Sequence, residues 1–128
     1  MVPENIEKFN KCAAELFDYL YAKFPVESDI RIDDFKDYDN KENSPLFFST
    51  IRFLEREGFI QFLQAVYGGF SGVVLTCKGF AVLNSTPAAI EETEPLGMRI
   101  RKAIKSGSQE IISGVIQEAI KSFALGQF

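Results

Sequence analysis

The sequence predicts a mainly helical α+β protein, several amphipathic helices around one β-hairpin. Three observations carry this. Apolar residues recur at intervals of three and four from Ile6 to Phe24. Two short runs rich in Phe, Ile and Val, residues 59–66 and 72–76, flank Gly68-Gly69-Phe70-Ser71-Gly72, which is turn chemistry. A second helical pattern fills residues 96–125. The chain has 128 residues, 46% of them hydrophobic and 25% charged, which suits a globular protein and excludes a disordered one. Its 13 Phe must fill a core or line a contact surface.

The first helix is set by Ile6, Phe9, Ala13, Leu16, Phe17, Leu20 and Phe24, with Glu4, Glu7, Lys8, Lys11, Glu15 and Asp18 on the remaining positions. Pro3 suits its first turn, and Pro25 opposes continuation past Phe24. Cys12 lies beside the apolar stripe with no base or cation to activate it, so it reads as structural. Residues 26–43 are acidic and irregular. Ile30 and Ile32 alternate with charged residues as in a short edge strand, and Phe35 can anchor a helical turn after Asp33. The run from Asp37 to Glu42 has the look of a calcium loop but places Lys41, Glu42 and Phe48 where that loop needs an oxygen ligand, Gly and Glu, so it reads as a solvated loop.

A second helix starts with Ser44 as N-cap and Pro45 at the first helical position. Phe47, Thr50, Ile51 and Leu54 form its inward face, and Gly58 supplies a left-handed stop. The hairpin follows. Thr76 then caps a short helix to Asn84, with Phe80, Ala81 and Leu83 as packing residues. Residues 1–86 thus form one domain, 87–95 a linker with two prolines and three glutamates, and 96–128 a C-terminal helical segment. In that segment Ile100, Ile104, Ile111, Val115, Ala119 and Phe123 line one face, broadened by Ile112, Ile116 and Ile120. Unbroken, it would run about 45 Å. Ser106-Gly107-Ser108 can divide it, and Ser106 with Gln109 has the spacing of a capping box.

The joins Phe53-Leu54-Glu55-Arg56-Glu57-Gly58-Phe59-Ile60 and Val74-Leu75-Thr76-Cys77-Lys78-Gly79, on either side of a glycine-rich turn, resemble those flanking the wing in winged-helix domains of bacterial regulators. The resemblance covers residues 5–84 and implies a winged-helix domain with a C-terminal amphipathic extension. It further implies duplex DNA as partner, with the helix before the hairpin in the major groove and the hairpin on the backbone. With Phe47, Thr50, Ile51 and Leu54 inward, helical steps of about 100° point Ser49, Arg52 and Arg56 outward, able to meet phosphates or a guanine edge. Arg99, Arg101, Lys102 and Lys105 form a basic cluster, from which Arg101, Lys102 and Lys105 could add backbone contacts or simply make a solvated face.

Charge sets limits. Residues 1–86 hold nine Lys/Arg and thirteen Asp/Glu, a net of −4, and residues 87–128 hold five of each, a net of zero. The overall acidity offers a phosphate backbone no long-range attraction, Glu55 and Glu57 offset the two arginines, and the hairpin tip has no cation. A non-enzymatic protein-binding module (adaptor, antitoxin or immunity-type) therefore stands as the alternative, with Phe48, Phe53, Tyr67 and Phe70 as contacts. Tyr67 and Phe70 could also fold back onto their own hairpin, the favoured reading. Gly107 and Gly114, each following a serine seven residues apart, would with Ile111 and Val115 let a partner helix approach. A homodimer through that face is favoured over docking on the first helix.

No His, no paired carboxylates in an apolar run and no nucleotide-binding glycine motif leave no catalytic constellation to nominate, so neither enzymatic activity nor a cofactor is expected. Cys12 and Cys77 are too few and too far apart for a zinc site or a disulfide framework. The N-terminus lacks a secretory pattern and no apolar run reaches membrane-spanning length, so a cytoplasmic protein with reduced thiols is expected.

Overall fold

A computed structural model describes residues 2–86 and 94–126. The expected α+β composition is met: among the described residues five helices pack with a small antiparallel sheet. Helix α1 (Glu4–Lys23) is followed by strand β1 (Ser28–Arg31), two short 3₁₀ turns (Ile32–Asp34 and Lys36–Tyr38), helix α2 (Ser44–Arg56), strands β2 (Ile60–Gln61), β3 (Gln64–Val66) and β4 (Gly69–Leu75), and helices α3 (Cys77–Leu83), α4 (Leu96–Ser106) and α5 (Gln109–Leu125). No helix among the described residues is long and apolar enough to cross a membrane. The expected linker lies largely at residues 87–93, outside the described residues.

Strand β4 is the centre of the sheet. On one side it pairs with β1, Ile30 opposite Phe70; on the other it pairs with β2 and β3, Ile60 opposite Leu75 and Val66 opposite Gly69. The last pairing corrects the expected turn. Gly69, Phe70 and Ser71 are strand, and the turn itself is Tyr67-Gly68, where Gly68 takes φ +76°. Burial decides this: Phe70 extends the ladder because it fills the core between Phe48 and Phe62, with ring centroids 6.0 and 4.7 Å away. A local glycine count cannot register that energy.

The helix starts show smaller corrections. Asn43, not Ser44, is the N-cap of α2, and Pro45 falls in the first turn. Ser108, not Ser106, caps α5 by accepting the Ile111 N–H. Ser106 donates to the Ala103 carbonyl, and Gly107, at φ +72°, ends α4. The expected cap at Thr76 is present: its Oγ1 accepts from Gly79 N at 2.9 Å and donates to Gly58 O at 2.6 Å, joining the start of α3 to the end of α2.

The C-terminal helices are not an appendage. Leu96, Ile100, Ala103, Ile112, Val115, Ile116 and Ala119 belong to the same apolar core as Leu16, Phe17 and Leu20 of α1, and α4 and α5 pack on α1 and on each other. Phe123 stacks on Phe59 with centroids 3.8 Å apart, and Gln117 Nε2 donates to Asn10 Oδ1 at 2.8 Å. The apolar face that the sequence alone would send to a partner helix is thus largely covered by the chain itself. Of the expected oligomerisation set Val115 is buried; Ile111 and Gly114 are exposed, and Gly107, also exposed, is the terminator of α4 rather than part of a helix face.

Candidate nucleic-acid interface

Helix α2 buries Phe47, Thr50, Ile51 and Leu54, the i, i+3, i+4, i+7 positions. Helical geometry then fixes the opposite face, and Ser49, Arg52 and Arg56 are exposed on it as expected. None of the ion pairs among the described residues involves Arg52 or Arg56. The Arg52 guanidinium carbon stands 5.5 Å from the Phe70 ring centroid, a cation–π contact that leans it toward the hairpin. Glu55 and Glu57 are exposed beside these arginines.

A residue that no sequence motif singles out joins this region. Arg31, at the exposed end of β1, borders a depression of about 420 Å³ together with Asp33, Asp39, Ser44, Phe48 and Tyr67. The alternation of Ile30 and Ile32 already placed Arg31 outward. What the alternation could not give was its neighbour: β1 pairs with β4, and Ile32 N donates to Gly68 O, which brings the end of β1 to the hairpin turn.

The second basic group behaves differently. Arg99 donates from both terminal nitrogens to Glu118, at 2.8 and 3.0 Å. Arg101 Nε donates to Asp18 Oδ1 at 2.9 Å, and Lys102 pairs with Glu94. Three of the four cations are therefore held by carboxylates of the same chain. Lys105 alone of the four is exposed without an ion pair among the described residues. Arg101 and Lys102, expected as backbone contacts, also serve as links within the fold: the acids that engage them come from α1 and from residue 94, positions a helical projection of α4 does not contain.

The aromatic contact set is corrected as well. Phe70 is 1% exposed and serves as the floor beneath Arg52. Phe53 meets Phe9 of α1 edge-on at 5.5 Å, and Phe48 meets Phe47 and Phe70, so both are mainly packing residues. Tyr67 does the opposite of folding back: it is 98% exposed at the hairpin turn, and Leu63 nearby is 74% exposed.

Another depression, about 550 Å³, lies where α1, the 3₁₀ turns and α4 meet; α2 and the hairpin contribute nothing to it. Tyr19 and Phe35 line it, ringed by Glu15, Asp18, Asp34, Asp37, Lys23, Lys36 and Arg101. Burial raises the Glu15 carboxyl above its usual range. Close by, burial pushes the Cys12 thiol up to about 12, which suppresses the thiolate a nucleophile or metal ligand would need. No group of His, Cys, Asp and Glu suited to a metal ion occurs among the described residues.

Comparison of the chain with protein-family models, with curated proteins and with solved structures finds no match.

Proposed function

We propose that this protein binds duplex DNA in the manner of the winged-helix, regulator-type proteins its sequence resembles, through the outward face of α2. The observation that carries the reading is the exposure of Arg52 and Arg56 one turn apart, without an ion pair among the described residues, on the helix that leads into the hairpin. Ser49 lies on the same face, and Arg31 adds a third guanidinium near the hairpin turn. The order of α2, hairpin and α3, with β1 completing the sheet, supports the same reading.

Few cations and a net charge of −4 make this a low-salt interaction. Three neutralised phosphates would give a salt slope of about −3. The test is fluorescence anisotropy with mixed-sequence duplexes at low ionic strength. Binding that falls with salt, and at least tenfold when Arg52 and Arg56 are both changed to Ala, supports the proposal. No binding at low salt overturns it.

A second reading rests on Tyr67 and Leu63. Their exposure on an uncharged hairpin fits a protein-contact surface better than a phosphate contact. Under that reading the arginine pair is dispensable, and Tyr67→Ala weakens partner capture.

A further inference from the structure

The sheet has two free edges, and they are protected unequally. Strand β1 carries charge at its edge, Asp29 and Arg31, both exposed. Such charges oppose pairing with a further strand. The opposite edge, β3, has no such guard. From Gly58 to Cys77 the chain contains no charged residue and no proline, the longest uncharged stretch in the sequence. Strand β3 pairs with β4 on one side only. Leu63, Ala65 and Tyr67, at alternate positions along this edge, are exposed.

Register identifies the open backbone groups. Val66 and Gly69 flank the two-residue turn, and Gln64 lies opposite Ser71. In an antiparallel ladder the hydrogen-bonded and non-bonded pairs alternate, so Ala65, opposite Phe70, directs its N–H and C=O away from β4. One donor and one acceptor on a single residue are what a two-fold strand pair requires at its centre.

We propose that β3 pairs antiparallel with β3 of a second copy, with Ala65 of each copy at the two-fold axis, extending the sheet across a homodimer. Self-complementarity selects this occupant, since with Ala65 at the axis Leu63 of one copy falls opposite Tyr67 of the other, and charge selects the edge. Two molecules of net charge −4 repel each other, and the repulsion is smallest where both present uncharged strand. An isologous pair also brings Leu63 and Tyr67 of both copies out of water together. By comparison, the groove between α4 and α5 that contains Ile111 is edged by Glu94, Arg99 and Lys102. The proposal stands apart from DNA binding, and either can fail alone.

The experiment is sedimentation velocity on the full chain over a concentration series, with circular dichroism to confirm folding. Wild type is expected to pass from monomer to dimer. Ala65→Pro removes the outward N–H without touching a bond to β4, and Tyr67→Glu sets a carboxylate against the apolar Leu63 of the other copy. Each is expected to weaken dimerisation at least tenfold while the fold persists. Leu63→Lys serves if Ala65→Pro perturbs the hairpin, and Ile111→Glu is expected to change nothing. A monomer at every concentration overturns the proposal. So does a dimer that survives the β3-edge changes or dissolves with Ile111→Glu.

Discussion

Arg101 of α4 and Asp18 of α1 are joined by a 2.9 Å hydrogen-bonded ion pair across 83 residues of sequence. The pair converts one member of the chain's densest basic cluster into a clamp between two helices. Asp18 and Arg101 both line the depression of about 550 Å³ between α1, the 3₁₀ turns and α4, so the clamp helps to define that opening.

Because the pair is partly exposed, Arg101→Ala should cost less than about 1 kcal/mol of stability. Its effect on DNA affinity should be small beside that of the Arg52 and Arg56 double change. Urea titration and anisotropy on the same variants check both. A loss of binding equal to that of the α2 variant would return Arg101 to the interface.

Arg99 and Glu118 make the stronger link, two parallel bonds with side chains only 16% and 21% exposed. Glu118→Ala leaves a guanidinium poorly solvated and should destabilise the protein by about 2 kcal/mol. Arg99→Lys should recover part of the difference between Arg99→Ala and wild type, since an ammonium cannot reproduce the fork. Chemical denaturation of the three variants tests the order.

Gly79 would ordinarily be improved by Ala, because it sits in a helix where Ala is favoured by about 1 kcal/mol. Here a Cβ would meet the Phe59 carbonyl oxygen at 2.1 Å. Backbone must move to admit it, so Gly79→Ala should destabilise by about 2 kcal/mol or more. A rise in the melting temperature would show that the α3 start yields easily.

Residues 1–86 alone should not fold. Without α4 and α5 the faces of α1 that carry Leu16, Phe17 and Leu20 lose their cover, and Phe59 loses Phe123. The fragment is expected to lack a cooperative melting transition and dispersed amide resonances. A well-dispersed spectrum would restore the view of the C-terminal segment as an accessory.

Cys12 predicts an alkaline weakness. Burial raises its thiol from 9.0 to about 12. Between these values the unfolded chain has lost the proton and the folded chain keeps it, so stability falls as pH rises, by up to about 1.4 kcal/mol per pH unit. The buried Tyr38 hydroxyl, also raised by burial, acts in the same sense at higher pH. Cys12→Ala should flatten the decline that begins near pH 9, measured by urea midpoints across pH. In the native state a thiol reagent should react with exposed Cys77 and reach Cys12 only on unfolding.

Much of the fold can be read directly from the chain. The three- and four-residue spacing of Phe47, Thr50, Ile51 and Leu54 settles which face of α2 is buried, and hence that Arg52 and Arg56 are exposed. Periodicity suffices there because the rise and twist of a helix are fixed by its own backbone bonds. Thr76 is equally legible, since an N-cap acts on an amide three residues away.

What the sequence by itself determined, then, was where the helices form, that a hairpin follows α2, and which helix faces seek burial. Only the tertiary structure decided what covers those faces: α4 and α5 on α1 rather than on a partner helix, Asp18 and Glu118 on the arginines of α4, and Phe70 in the core rather than at the hairpin tip. The physical reason is range. Periodicity and capping are set by neighbours within a turn or two of backbone, whereas ion pairing and core packing depend on residues tens of positions apart. Nothing in the local pattern of either partner specifies the other.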